Sequence, residues 1–571
     1  MRTLTTVLLA STVLSAAPQY RTLNDRMTPR EYASLAEWQP RAAWLRDHVR
    51  ASAGLLPPPP MTPLRAEVFG EVRHRDYSVS KVYFESLPGF FVTGNLYRPL
   101  GAGPFPAILS PHGHWAWGRL ENSDLVSGPG RAINLARQGF VVFSYDMVGY
   151  NDSRQLTHEF GGRRERLWGL SLSGLQLWNS LRSLDFLESL PDVDRTRIGA
   201  TGESGGGTQT FLVSAIDERI KAAAPVNMIS LHMQGGCLCE NPPGLRLDTN
   251  NVEIAALIAP RPLLMVSATG DWTNETLDVE FPAMRRLYAL FDAAGRVHAV
   301  QMNAPHNYNR DSREAVYGWM ARWLKNAPPD ERVAEKAFTP DKLPDLLVFH
   351  GRSLPAGAAT AAELTEAWIA SSRRLLETSL PEARKTALLH ALNLTPREPQ
   401  LPTIIGQTIV ASDNPEPLER ALLVTQRHGH RVQPTPVDAE AAAKVSHFAT
   451  YNRTPASQRV ADIVRAFDDH PGTRLLVADG EFALPAILAL AIVSVDRAVV
   501  DVGQFDLASD DAFLERLEIP GIRRAGDLRT ALAMTKGGVL IHNAGERFAI
   551  DGAAVERRQL TPTEIVNRLR R

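Results

Sequence analysis

Three residue types that can share acyl-transfer chemistry occur along the chain in the order serine, acid, histidine. Gly202-Glu203-Ser204-Gly205-Gly206 fits the pattern G-x-S-x-G. It follows the strand-like run RIGATGE (197–203) and precedes the helical run TQTFLVSAI, so the serine falls on a strand-to-helix turn. A turn this tight strains the backbone at the serine and tolerates only small neighbours. It also sets the hydroxyl at a helix N-terminus, where free amides favour developing negative charge.

A serine hydroxyl needs a base to take its proton and an acid to orient that base. Asp271 follows the run PLLMVSA in the turn ATGDWT, and His306 follows VHAVQMN in the loop APHNYN. Both stand downstream of Ser204, after later strands, and the helical run REAVYGWMARWL follows the histidine. Glu240, Glu275 and Asp278 are other acids in range, and His298 lies inside a strand. The oxyanion calls for two amide donors. One is Gly205; the other is expected from the loop Ser110-Pro111-His112-Gly113-His114-Trp115, at His114 or Trp115. His112, Glu203, Trp117 and Tyr150 are candidates for the pocket wall, the aromatic ones as platforms for sugar rings.

The elements that must hold these residues are short apolar strands alternating with helical stretches. The strands are FPAILSP (105–111), FVVFSYD (140–146), RIGATGE, IKAAAPV (220–226), PLLMVSA (262–268) and VHAVQMN (297–303). Continuous apolar runs indicate strands buried on both faces, hence a mostly parallel sheet covered by helices. Chemistry in such sheets gathers at the carboxyl ends of strands. Ahead of them, alternating YSVSKVYFE and FFVTGNLYRP around Pro88-Gly89 predict a hairpin.

Composition excludes several other roles. Sixty-two Lys+Arg against sixty-three Asp+Glu leave a net charge of −1, which argues against nucleic acid or an anionic membrane as the main partner. Two cysteines, Cys237 and Cys239, exclude a disulfide framework. Their C-x-C spacing strains a mutual disulfide, and His232 and Glu240 are the nearest further ligands, so rim packing is expected and no metal is assigned. Residues 1–17 carry one positive charge, an apolar run and small residues, as a secretory signal does, which predicts a secreted or periplasmic protein. That run, at about 13 residues, falls short of the roughly 20 that span a bilayer, so no membrane anchor is expected.

A polar, proline-bearing stretch at 331–346 reads as a linker between a catalytic domain, 18–330, and a second domain, 347–571. The second half echoes the first: QRVADIVRAFDDHPGTRLLVADGEFALPAILALAI follows LRSLDFLESLPDVDRTRIGATGESGGGTQTFLVSAI, and GGVLIHNAGERF follows PLLMVSATGDWT. Aligning the Gly-Glu pairs sets Phe482 opposite Ser204, with Ala483 and Leu484 opposite Gly205 and Gly206. Glu546 falls opposite Asp271, and no histidine follows position 542. The expectation is an internal duplication whose second copy is catalytically inactive.

Together SPHGHWAWGR, DMVGYNDSRQ, TGESGGGTQTF, GGCLCENPPGLR, ALIAPRPLLMVSATGDWT and APHNYN resemble the α/β-hydrolase superfamily, and within it the bacterial acetyl-xylan-esterase-like group. The resemblance spans roughly residues 65–330. It implies an α/β-hydrolase fold for the first domain, beside the degenerate α/β-hydrolase-like domain that the internal repeat predicts, and a serine carboxylic ester hydrolase acting on small-molecule or polysaccharide esters such as acetylated xylan. It implies no cofactor. Three alternatives stand beside it: a prolyl-oligopeptidase-like peptidase, a glucuronoyl-type uronate esterase, and a non-enzymatic carbohydrate-binding protein. The peptidase would need a β-propeller of about 300 residues ahead of the hydrolase strands. Oligomeric state is not assigned.

Overall fold

The computed structural model describes residues 19–329, 333–395 and 406–570; the expected signal at 1–17 lies outside them. No helix among the described residues is long and apolar enough to cross a membrane.

The first half is built on nine strands: β1 (Glu67–Arg73), β2 (Tyr77–Leu87), β3 (Phe90–Pro99), β4 (Phe105–Leu109), β5 (Val141–Tyr145), β6 (Val193–Glu203), β7 (Ile220–Val226), β8 (Leu263–Gly270) and β9 (Val297–Pro305). Their order in the sheet is β1-β2-β3-β5-β4-β6-β7-β8-β9. The first three form an antiparallel meander that joins β5 antiparallel, and every pairing from β5 to β9 is parallel. All six apolar runs are strands of this sheet.

Side-chain alternation along a strand separates the two cores. In β4, Ile108 packs with Ile133 and Leu135 of the helix Gly128–Arg137 and with Val316 and Met320 of the helix Arg310–Lys325. Its neighbours Ala107 and Leu109 face the other side, with Leu175 of Leu172–Ser189 and Phe211 of Gly205–Ile216. The hairpin β2–β3 departs from its alternating pattern and is buried on both faces. Chain from beyond the first sheet covers it: Val348 and Phe349 pack against Tyr83 and Phe91.

The second half carries six strands, β10 (Gln407–Ala411), β11 (His428–Arg431), β12 (Leu475–Ala478), β13 (Arg497–Asp501), β14 (Gly538–His542) and β15 (Ala554–Val555). They lie in the order β11-β10-β12-β13-β14-β15, all parallel. The connectivity repeats that of β5-β4-β6-β7-β8-β9, as a duplication would leave it, and is also common to doubly wound sheets generally. In that strand order β12 takes the place of β6. The turn after β12 is a single 3-10 turn, Gly480–Phe482, with Phe482 buried and at φ −88°.

Residues 333–349 run along the first sheet. Glu335 is buried against Arg313 at 2.6 Å and accepts from the Tyr317 hydroxyl at 2.8 Å. The Leu346 carbonyl accepts from Asn95 (2.8 Å) and Arg119 (3.1 Å), and the Val348 and Phe349 amides donate to Asp152 at 2.9 and 3.0 Å. Beyond this strap the two halves share one continuous apolar cluster.

Candidate active site

Ser204 sits between the end of β6 and the helix Gly205–Ile216 with φ 55° and ψ −122°. A non-glycine residue held there costs on the order of 1–3 kcal/mol and persists only where its surroundings over-determine it. The flanking glycines show what does so. A Cβ on Gly202 would lie 2.5 Å from the Pro111 carbonyl oxygen, and one on Gly206 2.7 Å from the same atom. The loop after β4 therefore presses directly on the serine turn.

Strand register brings Asp271 and His306 together. Gly270 of β8 pairs with Pro305 of β9, so the next residue on each strand stands beside the other. His306 Nδ1 lies 2.8 Å from Asp271 Oδ2. The other carboxylate oxygen accepts from the Thr273 amide (2.7 Å) and hydroxyl (2.5 Å), which fixes the acid in place. His306 Nε2 is buried and among the described residues has no hydrogen-bond partner, Ser204 Oγ included. Such a contact is often long in a substrate-free site and tightens when substrate arrives. The imidazole neighbours two indoles, Trp272 at 4.5 Å and Trp115 at 6.1 Å between ring centroids.

The His-Gly loop lies over the serine. A Cβ on Gly113 would fall 3.1 Å from Ser204 Cβ and 3.2 Å from Trp115 Nε1, a buried donor without a partner among the described residues. Among the described residues the amides of His114 and Trp115 donate to no protein acceptor, so both stay available to an oxyanion. The His114 ring covers Gly205, where an added Cβ would meet Cε1 at 2.5 Å.

The remaining predicted residues take different positions. Glu203 is buried beneath the site: Oε1 accepts from the Gly113 amide at 3.1 Å and Oε2 from Arg131 at 2.6 Å. His112 is buried under the loop, with Nδ1 2.7 Å from the Gly113 carbonyl and Nε2 accepting from the Met147 amide at 3.0 Å. Burial pushes its pKa down to about 3, so it is a neutral brace rather than a pocket wall. Tyr150 packs edge-on against His112 and His158, both at 5.0 Å, whereas Trp117 is exposed. Among the other acids, Glu240 accepts the Gly236 and Cys237 amides and Glu275 pairs with Arg26 and His232. Arg131, Trp272 and His158 escaped the sequence reading. Only Trp272, adjacent to Asp271, had a local signal.

The family described as acetyl xylan esterase (AXE1) matches residues 70–230, which include Ser204 and the His-Gly loop and stop short of Asp271 and His306. The solved structure of Methylesterase BT1017 is 32% identical, covers 61% of this chain and 78% of its own, and superposes with a TM-score of 0.52. The Putative hydrolase YtaP of Bacillus subtilis (strain 168) is 27% identical over 256 residues, 42% of this chain and 84% of that protein. The Acetyl esterase Axe7A of Xylanibacter ruminicola is 24% identical over 147 residues, 23% of this chain and 31% of that protein.

Proposed function

The chain belongs to the acetyl-xylan-esterase-like group of the α/β-hydrolase superfamily, and from that premise we propose that it is a serine esterase cleaving carbohydrate esters through an acyl-enzyme. The observation that carries this reading is the 2.8 Å pairing of Asp271 with His306 Nδ1, which leaves Nε2 unpartnered at the strand ends where Ser204 occupies its strained turn. As Ser204 Oγ attacks the ester carbonyl, His306 Nε2 takes its proton and Asp271 holds the imidazolium. The amide of Gly205, with that of His114 or Trp115, receives the oxyanion. His306 then protonates the leaving alcohol and activates the water that releases the acid. The apolar run at 1–17 supports export, to the periplasm or the medium.

Acetylated xylan is the leading substrate class, in line with the matching family's description. In that case the sugar leaves as the alcohol and acetate is the acid released. The likeness to a methylesterase favours a second reading, in which a uronate methyl ester supplies the acyl group and methanol leaves. Acetate release from acetylated xylan, measured beside methanol release from methyl-esterified uronans, separates the two. The serine assignment is tested by Ser204→Ala, expected to lower kcat on p-nitrophenyl acetate by about 10⁶ and to abolish fluorophosphonate labelling. Undiminished turnover in that variant refutes it.

A further inference from the structure

Four side chains that the proposed reaction does not use converge beside the oxyanion loop. His114 comes from the loop after β4, His158 from the loop after β5, and Cys237 and Cys239 from the loop after β7. One ligand atom of each lies within 4.8 Å of every other. His114 Nε2 is 3.1 Å from Cys239 Sγ. His158 Nδ1 lies 2.6 Å from the Val148 carbonyl, which places the proton on Nδ1. Its Nε2 is buried and among the described residues makes no hydrogen bond, the arrangement of an imidazole that ligates a metal. Both cysteines are free thiols.

We propose that these four residues form a His₂Cys₂ site for one thiophilic divalent cation of the zinc class. A tetrahedral zinc with bonds of about 2.0–2.1 Å to nitrogen and 2.3 Å to sulfur sets its ligand atoms about 3.3–3.8 Å apart. The observed spacing, at most 4.8 Å, therefore exceeds a ligand cage by no more than about 1–1.5 Å. The residues that flank the cysteines in the chain do not join it. Glu240 holds the Gly236 and Cys237 amides at 2.9 and 3.1 Å, and His232 pairs with Glu275 at 3.0 Å. The C-x-C pair alone gave no reason to assign a metal; folding adds two histidines from 79 or more residues upstream.

With four protein ligands the ion has no open position for water or substrate, so its role is structural. It ties His114, whose ring covers Gly205, to two flanking loops. The loop with the cysteines is in turn held by the second half, where the Tyr451 hydroxyl donates to Asn241 Oδ1 at 2.7 Å and Thr450 Oγ1 to the Asn241 carbonyl at 2.9 Å. The clamp thus sets the height of the amide-bearing loop over Ser204.

The test is metal analysis of the full chain purified under reducing conditions from zinc-supplemented culture. The expected content is about one zinc per chain, with cobalt substitution giving a thiolate-to-metal charge-transfer band. His158→Gln and Cys239→Ser should each retain below about a tenth of it. His158 is only partly buried, so its variant keeps the test open if the fully buried Cys239 cannot be replaced without misfolding. A folded wild-type protein that holds less than about a tenth of an equivalent and titrates two free thiols would overturn the site. So would a Cys237–Cys239 disulfide, seen as a mass lower by two hydrogens, or zinc retained equally by wild type and both variants.

Discussion

Glu203, the residue before the nucleophile, accepts the amide hydrogen of Gly113 at 3.1 Å and so joins the serine turn to the loop that faces it. Its second oxygen meets Arg131 at 2.6 Å, and Arg131 reaches on to Ser110 Oγ (3.0 Å) and the Pro111 carbonyl (3.3 Å). Both charged side chains are buried. Glu203→Gln keeps an acceptor for Gly113 but leaves the guanidinium uncompensated, so it should cost about 3–5 kcal/mol of stability. The loop carrying the oxyanion amides should shift with it, lowering kcat more than it raises KM. Urea unfolding alongside steady-state kinetics checks both parts, and wild-type stability in the variant would show that the Glu203–Arg131 pair does not brace the loop.

Asp271→Asn tests the acid with little change of shape. The amide oxygen can still accept from Thr273, but its NH₂ would face His306 Nδ1 and force the ring proton onto Nε2. An imidazole protonated there cannot accept from Ser204, and kcat should fall by about 10⁴ at neutral pH with the fold intact. If more than a tenth of the activity survives, another acid orients His306.

These two predictions rest on parts of the protein that were unequally legible in the sequence. The parallel strands β4 to β9 could be read because a strand buried on both faces is a continuous apolar run. The residues at their carboxyl ends followed, since a strand end fixes which side chain emerges. The hairpin β2–β3 looked half-exposed because its covering, Val348 and Phe349, lies some 250 residues away in the chain. His112 looked like a pocket residue because its type suits chemistry; only the fold shows both ring nitrogens against backbone. Arg131 gave no signal, since its partner Glu203 is 72 residues distant.

Three of the buried histidines make stability depend on pH. Burial pushes His48 and His112 down to about 3 and His390 down to about 4. Each is neutral in the fold and takes a proton on unfolding below its unfolded value near 6.5. The stability each contributes is therefore complete above that value. It is lost as pH falls toward 4, at up to about 1.4 kcal/mol per pH unit per histidine. His48 and His390 face each other, 5.6 Å between ring centroids, across the contact of Leu35–Ser52 with Pro381–Leu392. Acid should therefore loosen the junction of the halves as well as the loop over Ser204. Calorimetric scans from pH 7.5 to about 4.5 should show a falling Tm, and His390→Gln should flatten the slope. A Tm independent of pH across that range would contradict the burial of these rings.

The second half should be needed for the first to stand. One apolar cluster includes Trp38 and Leu45 of the first half together with Leu388, Ile487 and Phe513 of the second. The junction is also stitched by backbone and side-chain bonds: Gly521 N to the Arg166 carbonyl (2.8 Å), Trp368 Nε1 to the Trp168 carbonyl (2.9 Å) and Arg524 to the Pro57 carbonyl (2.6 Å). A chain ending at residue 330 would expose that surface and lose the support of the cysteine loop, so it should aggregate or unfold far more readily than the full chain. Within the intact protein, Trp368→Ala should cost about 3–5 kcal/mol and Tyr451→Phe about 1 kcal/mol, both without touching Ser204, Asp271 or His306. The full chain should unfold in one calorimetric transition. Two separate transitions, or a chain ending at 330 that matches the full protein in stability and activity, would show that the second half is not a scaffold for the first.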